Sequence, residues 1–199
     1  MKKGLLFVLL ACMAGFAPAQ DITLPAPAKT GGRSFLETVN ARHSERSFVK
    51  RELPASLVST LLWVANGYNR ADKRTVPTAM NKQEMELYVI LDDGAYFYDA
   101  SKHVLKLIAK GKFKEALGQP QITLNAALTI VMVADLNKSS IDMARISTGY
   151  ISQNIYLFAA SEGLGSVARG SFDGAALSTV LQLGSHQAIT LVQPVGYLE

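Results

Sequence analysis

The spacing of hydrophobic and polar positions predicts helices in the first part of the chain and a mixture of strands and helices after it. Ser34 and Glu37 have the spacing of a capping box, so we expect a short helix from there toward Ala41. Pro54 suits the first position of a second helix, which Gly67 ends. Its apolar positions recur at helical spacing and are Leu57, Leu61, Leu62 and Ala65.

The middle of the chain has the pattern of a β-hairpin. Residues 86–91 and 96–98 are expected to be its strands, because the Asp-Asp-Gly sequence at 92–94 tolerates the positive φ of a tight turn. The spacing further predicts a helix over 101–110. Residues 128–134 are apolar and β-branched, which predicts a buried strand.

The last third of the chain begins with a long helical pattern from Ser140 to Glu162, which Gly163 ends. Few of its faces are fully polar, so we expect this helix at the centre of the fold. A capped helix over 173–183 and a last strand over 189–192, ending at Pro194, complete the pattern. Strands and helices do not alternate as in βαβ repeats, so the order predicts an α+β fold with a largely antiparallel or mixed central sheet flanked by helices.

The first 19 residues have the three parts of a secretory signal peptide: Lys2 and Lys3, an apolar run over 5–16, and the small residues 17–19. The apolar run is about 12 residues, short of the ~20 that a membrane-spanning helix needs. We therefore expect cleavage after Ala19 and a periplasmic or secreted protein whose mature chain has no stable membrane span. Lipid attachment at Cys12, in a run that resembles a lipobox, is the alternative.

The rest of the chain is expected to be an extended tether over 20–33, rich in Pro and Gly, followed by one domain over 34–199. The 20 basic and 16 acidic residues give a net charge of +4, and two of these positive charges belong to the predicted signal peptide. The small remaining charge includes no basic stripe. Binding to nucleic acid is therefore not expected.

Several kinds of chemistry are excluded by spacing. Residues 163–168 match the G-x-G-x-x-A pattern of a dinucleotide loop but follow a helix where that loop must follow a strand. His43, His103 and His186 are far apart in sequence, so no metal site is expected. Without Cys12 the chain has no thiol, and no G-x-S-x-G nucleophile motif occurs. Thiol chemistry and simple hydrolysis are therefore set aside.

Three segments carry groups that could hold an anionic, planar ligand. The front segment, residues 42–46, has two arginines and a serine that can grip a phosphate or form a solvated charged turn. The middle segment, residues 74–83, has two side-chain amides, Asn81 and Gln83, that can donate and accept, or it is a polar loop. The rear segment, residues 163–173, has glycines that admit a ligand to the backbone or cap a helix.

In this order the segments resemble the nitroreductase family of FMN-dependent flavoproteins, and most closely its SagB-type dehydrogenase branch. The resemblance runs from about Phe35 to the end of the chain. The motifs that carry it are R-H-S-x-R at 42–46, L-L-W-V-A-N-G at 61–67, R-x-x-P-T-A at 74–79, N-x-Q at 81–83 and E-G-L-G-S at 162–166.

The resemblance implies a set of residues that bind FMN. They are Arg42, His43, Ser44, Arg46, Asn81, Gln83, Arg169, Gly170 and Ser171. In the implied arrangement the front segment holds the phosphate, and Arg46 lies beside N1 and O2 of the flavin, where its charge favours the reduced form. Arg46 is therefore the expected catalytic residue. Asn81 would reach the ribityl chain or the pyrimidine edge with Gln83 nearby, while backbone amides at 170–171 would face N5 and O4.

The resemblance also implies an intertwined homodimer with FMN at the subunit interface, in which the 140–162 helix is a candidate interface element or, alternatively, a core helix of one subunit. Many family members have a C-terminal basic pair at the phosphate, for which Arg169 or a cation of the second subunit would have to substitute.

We expect an exported FMN-dependent oxidoreductase with ping-pong two-electron chemistry and a small-molecule or peptidic redox substrate. The alternative is a flavin-binding or cofactor-free interaction module without turnover. Since nicotinamide donors are not expected outside the cytoplasm, the reductant would differ from the family's usual one.

Overall fold

The computed structural model describes residues 20–199 of the chain, and the predicted signal peptide at 1–19 lies outside the described residues. The helices are α1 (Phe35–Ala41), α2 (Ala55–Asn66), α3 (Pro120–Thr123), α4 (Ile141–Glu162) and α5 (Gly174–Val180). The strands are β1 (Ile22–Thr23), β2 (Phe48–Val49), β3 (Tyr68–Arg70), β4 (Lys73–Arg74), β5 (Met85–Ile90), β6 (Gly94–Asp99), β7 (Val104–Lys110), β8 (Leu128–Asp135), β9 (Leu164–Ser166) and β10 (Gln187–Leu198). Short 3-10 turns occur at Ala79–Asn81 and Lys114–Leu117.

Eight strands form one sheet in the order β1-β7-β6-β5-β8-β10-β2, with β9 pairing the last part of β10. The pairs are antiparallel, as in the separate β3-β4 ribbon. Strand β8 lies in the middle, and its residues 128–134 are all buried because apolar layers cover both faces. The predicted α+β fold with an antiparallel central sheet is confirmed.

Helices α2 and α4 cover one face of the sheet, and α5 with the turn at Lys114–Leu117 covers the other. Helix α4 starts at Ser140, whose side chain caps it, and ends at Gly163, which has φ 69°. The helix was expected at the centre of the fold. It buries one face, with Ile151 and Ile155 fully covered, but leaves the opposite face exposed in this single chain.

Local sequence signals located α1, α2 and α5 to within a few residues, whereas the short helix α3 was not predicted. In α1 the Ser34 hydroxyl accepts from the Glu37 N–H at 3.4 Å and the Glu37 carboxylate accepts from the Ser34 N–H at 3.0 Å, which is the predicted capping box. The Ser34 hydroxyl also donates to the Glu37 carboxylate at 2.6 Å, and this bond, followed by the one from the Ser34 N–H, holds the pKa of Glu37 below its usual value. Helix α5 begins at its predicted cap, Asp173, but ends at Val180 instead of continuing to Leu183.

Two predictions about strands were wrong. Residues 101–110 do not form a helix: a turn at 100–103 leads into strand β7, which pairs with β6. The apolar spacing fits both structures, and pairing with the neighbouring strand decides between them. The last strand does not end at Pro194, which lies within β10 opposite Thr129, since Val195 and Gly196 continue the pairing with β8 and β9.

Residues 20–33, which we call the arm, lie against the domain. Strand β1 pairs with β7, and the Ala28 N–H donates to the Thr60 hydroxyl at 3.0 Å. The Arg33 N–H donates to the Ser161 hydroxyl at 3.0 Å, so the arm crosses from the edge of the sheet to the end of α4. Its irregular backbone is therefore tied down at several separate points.

Candidate functional site

The front and rear segments meet beside α4. The backbone N–H of Glu45 donates to the Ser166 carbonyl oxygen at 2.9 Å. Both segments also reach the hydroxyl of Tyr156, which accepts from the Ala168 N–H at 2.7 Å and lies 2.9 Å from the Ser44 hydroxyl. Tyr156 thereby joins Ser44 and Ala168, which are more than a hundred positions apart in sequence, in one continuous surface.

This surface carries uncompensated positive charge. Within residues 20–199, neither Arg42 nor Arg46 has a carboxylate within 4.0 Å. The nearby Glu45 carboxylate accepts from the N–H groups of Ser47 and Arg46, which lower its pKa, and it lies 3.5 Å from His43 Nε2. Two free guanidiniums and the exposed Ser44 hydroxyl are the donor set that a phosphate or another anion requires.

The backbone of the rear segment is open to a ligand at Gly170. Just before it, Arg169 and Val192 exchange backbone hydrogen bonds of 2.9 and 3.0 Å, which fix the direction of the chain. Gly170 and Ser171 are exposed, and a Cβ on Gly170 would meet nothing within 4 Å. A planar ring can therefore approach this backbone closely, as the family resemblance implies.

The side chain of Arg169 is buried and makes its hydrogen bonds within the chain. Its Nη2 donates to the carbonyl oxygens of Gly118 and Ser171 at 3.1 and 2.9 Å, and its Nε donates to Gln119 Oε1 at 3.2 Å. The residue is 6% exposed, and this burial lowers the pKa of its guanidinium. Arg169 thus ties the 118–119 turn to the rear segment, and its expected contact with a phosphate stays a prediction.

The middle segment is organised by Gln83. Its Oε1 accepts from the Tyr68 hydroxyl and from Arg74 Nε, each at 3.0 Å, and its Nε2 donates to the Asp72 carbonyl at 2.8 Å and to Asn81 Oδ1 at 3.1 Å. The polar atoms of the Gln83 side chain are therefore all bonded to neighbouring residues of the chain, inside the segment and in the β3–β4 ribbon and turn before it. Asn81 is exposed, and its Nδ2 donates only to the Asp72 carbonyl, so it retains capacity for a ligand.

Backbone strain is concentrated in the same segment. Met80, Asn81 and Gln83 have φ values of 53°, 57° and 49°, in the left-handed region that non-glycine residues seldom adopt. Such strain persists only where the surrounding contacts enforce it, and it clusters at ligand sites. The exposed Asn81 amide is held in a defined position by this loop.

One chain does not bring the middle segment to the other two. Next to Gln83, the buried Glu84 carboxylate accepts from the Ser147 hydroxyl at 2.6 Å. Ser147 precedes Tyr156 by nine residues on α4, a rise of about 14 Å along the helix axis. The middle segment therefore lies beside the first half of α4, and the front and rear segments beside its second half.

The cleft that the described residues form at this surface is too small for a flavin. The cleft beneath the front segment, lined in part by His43, Tyr156 and Gly165, has a volume of about 10 Å³, which is room for one water. A larger cavity of about 620 Å³ lies between β1, the start of α2 and the β5–β6 turn, and no residue of the three segments lines it. A flavin would have to lie over the cationic surface, with its outer wall supplied from elsewhere.

Tyr156 is the site residue that sequence reasoning missed. It lies in a helical pattern where an aromatic residue normally indicates core packing, and no motif around it points to a ligand. Its contacts with Ser44 and Ala168 arise only because α4 packs beside both segments.

None of the helices within residues 20–199 is long and apolar enough to span a membrane.

A protein-family model described as the Nitroreductase family matches residues 39–197, which is most of the domain. A relative from Methanocaldococcus jannaschii, assigned as a nitroreductase, is 27% identical over 78% of this chain and 86% of that protein.

Solved structures show the same likeness. A protein of Ralstonia eutropha JMP134, assigned as a nitroreductase, is 30% identical and has a TM-score of 0.85 over 92% of this chain and 91% of that one. The E. coli microcin synthetase McbBCD complex, with truncated pro-MccB17 bound, contains a chain that is 18% identical with a TM-score of 0.69, covering 100% of this chain and 85% of that one. At that identity the likeness is one of fold.

Proposed function

Because this chain belongs to the nitroreductase family, whose members are oxidoreductases, we propose that it is an exported FMN-dependent oxidoreductase with ping-pong two-electron chemistry. The observation that carries the proposal is the surface where the front and rear segments meet, with two free guanidiniums, an exposed serine hydroxyl and an open backbone at Gly170. These groups fit the phosphate and the ring of FMN. When bound, FMN would supply hydride transfer at its N5 atom.

The protein groups supply charge and position. Arg42, His43 and Ser44 are the candidates to hold the phosphate, and Arg46 is the candidate to hold positive charge beside N1 and O2. A positive charge there stabilises an anionic ring and so raises its tendency to accept electrons. No side chain has to act as a nucleophile, and the substrate would bind against the exposed face of the ring.

A second copy of the chain would complete the site. Helix α4 presents an apolar stripe to solvent at spacings of three and four residues, made of Met143, Ile146 and Tyr150, with Gly149 beside it. Helix α1 packs against α4 and adds exposed apolar side chains. These are Phe35, Leu36 and Val39, which are 69%, 76% and 46% exposed.

A two-fold axis across the middle of α4 would exchange its two ends. It would place the middle segment of the second copy near the front segment of the first. The proposed homodimer therefore brings together the three segments that one chain separates, and it supplies the outer wall that the small cleft lacks.

The experiment that tests the function is a flavin titration followed by a screen of electron donors. The purified chain beginning at Gln20 should turn yellow with FMN, and anaerobic incubation with quinols or other extracytoplasmic donors should bleach it. Quinones or nitroaromatics would then restore the colour if they are substrates, because they take electrons from the reduced flavin. A dihydro peptide heterocycle that the protein oxidises would instead bleach the yellow protein itself, because it gives electrons to the flavin. A protein that stays colourless in excess FMN would overturn the proposal in favour of a cofactor-free module, and a yellow protein that no donor bleaches would indicate binding without turnover.

The substrate class and the cellular location belong to the same proposal. The fold shared with the microcin synthetase complex supports the SagB-type branch and makes a peptidic substrate worth including in the screen. Export rests on the sequence of residues 1–19. Expression of the full chain in a bacterium, followed by mass analysis of the periplasmic fraction, should find a mature protein that begins at Gln20.

A further inference from the structure

We propose that Tyr156 is a positioning residue that sets the Ser44 hydroxyl as a hydrogen-bond donor toward an anionic group on the front segment. The inference rests on the proposed function, in which that group is the FMN phosphate. Tyr156 would not touch the cofactor itself. It would act through Ser44 and Arg42 from the rigid, 22-residue helix α4.

The direction of the hydrogen bonds follows from the partners. The Ala168 N–H can only donate, so the Tyr156 hydroxyl oxygen accepts from it at 2.7 Å. Either hydroxyl can donate in the bond between Tyr156 and Ser44. We assign the proton to Tyr156, because the Ser44 oxygen at 2.9 Å is the one partner that this proton has among the described residues. Because Ser44 accepts there, its own proton is free to point outward. The chain of donors runs from Ala168 through Tyr156 to Ser44 and ends at exposed surface, where an anion would receive the last hydrogen bond.

The ring of Tyr156 acts on the same site. The guanidinium carbon of Arg42 lies 5.2 Å from the ring centroid, within the range of a cation–π contact. Arg42 has no carboxylate partner within the described residues, so this ring is a contact that holds its charge over the front segment. Ser44 and Arg42 are thus both placed by one side chain.

The test compares two flavins that differ only in the phosphate. The wild-type chain from Gln20 and its Tyr156→Phe variant are titrated with FMN and with riboflavin, and flavin fluorescence is measured. Tyr156→Phe keeps the ring but removes the hydroxyl, so the preference for FMN over riboflavin should fall about tenfold while riboflavin affinity changes little. The control is Tyr197→Phe, because Tyr197 also has a guanidinium over its ring, that of Arg51 at 4.2 Å from the centroid. This variant should leave the preference for FMN over riboflavin unchanged.

A double-mutant cycle with Ser44→Ala tests whether Tyr156 acts through Ser44. Ser44 is exposed, so this variant should fold normally even if Tyr156→Phe does not, and it should lose the preference for FMN by a similar factor. The double variant should be no worse than Ser44→Ala alone. Additive losses, equal loss of both flavins, or an undiminished preference in Tyr156→Phe would overturn the positioning role while leaving the proposed function intact. A wild-type protein that binds riboflavin as tightly as FMN would overturn the phosphate site itself.

Discussion

Arg46 is an exposed cation whose charge no carboxylate within 4.0 Å compensates in the described part of the chain. Removing it costs the fold no ion pair, so Arg46→Ala should unfold at the same denaturant concentration as the wild type. The rate of flavin reduction should fall about fivefold, because an exposed charge contributes about 1 kcal/mol to the stability of a developing anion. Stopped-flow absorbance under anaerobic conditions measures this rate.

The control for this prediction is Lys50→Ala. Lys50 is also an exposed cation with no ion pair among the described residues, and it follows β2 four residues after Arg46. Equal slowing in both variants would mean that general positive charge steers the donor. Unchanged kinetics in Arg46→Ala would remove this residue from the catalytic role.

Alanine substitutions at Gln83 and Asn81, which are two positions apart, should change the free energy of unfolding by different amounts. Gln83→Ala would remove four hydrogen bonds that organise a half-buried loop, so we expect the free energy of unfolding to fall by about 1–3 kcal/mol. Asn81→Ala removes two exposed bonds, one to the Asp72 carbonyl and one from Gln83, and should lower that free energy by about 1 kcal/mol or less. Urea denaturation measures both.

The pair also separates a structural role from a cofactor role. If Asn81 binds the flavin, its alanine variant should lose FMN affinity with little loss of stability. A large loss of stability in Asn81→Ala would contradict the contacts seen at this residue.

At the residue scale, sequence reasoning found groups that are contiguous and missed those joined by folding. The arginines and serine of the front segment stand within five positions of one another, so their shared charge is visible without a structure. The internal role of Gln83 depends on β3 and β4, which were not predicted, because the polar sequence there carries no period of two. The roles of Arg169 and Tyr156 depend on contacts with residues far away in sequence.

At the scale of elements, capped helices were located to within a few residues, because a cap is a local interaction between residues three positions apart. The same reasoning failed for β7. Its apolar residues 104, 105, 107 and 108 fit one face of a helix, and only pairing with β6 selects the strand. Sheet order cannot be read locally either, since β10 reaches β8, β9 and β2 through residues on both sides of Pro194.

A neutral histidine orients the serine hydroxyl that binds the arm. The Ser59 hydroxyl donates to the Pro25 carbonyl at 2.6 Å and therefore accepts from His103 Nε2 at 2.7 Å. His103 Nδ1 must then accept from the Tyr98 hydroxyl at 2.9 Å. Burial lowers the pKa of His103 below its usual 6.5, because the charged imidazolium is poorly solvated there.

This pKa shift makes the stability of the protein depend on pH. The unfolded chain takes up the His103 proton more readily than the folded one, so stability is complete above pH 6.5 and falls as the pH decreases below that value. Lys106 donates to Asp99 and holds the pKa of that neighbouring carboxyl well below its usual range, so Asp99 does not titrate in this window. Urea midpoints at pH 8 and pH 5 should show the loss.

A substitution isolates the contribution of His103. His103→Asn keeps a residue that tolerates the φ of 54° at this position but cannot titrate, so its urea midpoint should change less between the two pH values than that of the wild type. The exposed His186→Asn should retain the full pH dependence. An identical pH dependence in His103→Asn and the wild type would show that His103 is not the group responsible.

At the scale of the whole molecule, the three segments lie at two ends of one helix. The resemblance to the family implied a shared site, but the sequence contains no signal of which segments share a chain and which meet across an interface. The proposed dimer rests instead on the exposed stripe on α4, where Met143, Ile146 and Tyr150 are 38%, 49% and 47% exposed on a face that no other described residue covers. Large apolar side chains gathered on one exposed face favour association with another surface.

The proposed dimer predicts that one exposed substitution disrupts both assembly and cofactor binding. Ile146→Glu lies on the surface of the single chain, so its fold should be unchanged, whereas in a dimer it would bury a carboxylate in the interface. Sedimentation velocity should show a monomer, and FMN affinity should fall at least about tenfold because the second copy's middle segment is lost. Leu124→Glu is the matched control, since Leu124 is 41% exposed and follows α3, which packs on the Lys114–Leu117 turn. A dimer that persists in Ile146→Glu would place the interface elsewhere, and a monomeric Ile146→Glu that binds FMN as tightly as the wild type would show that one chain holds the flavin alone.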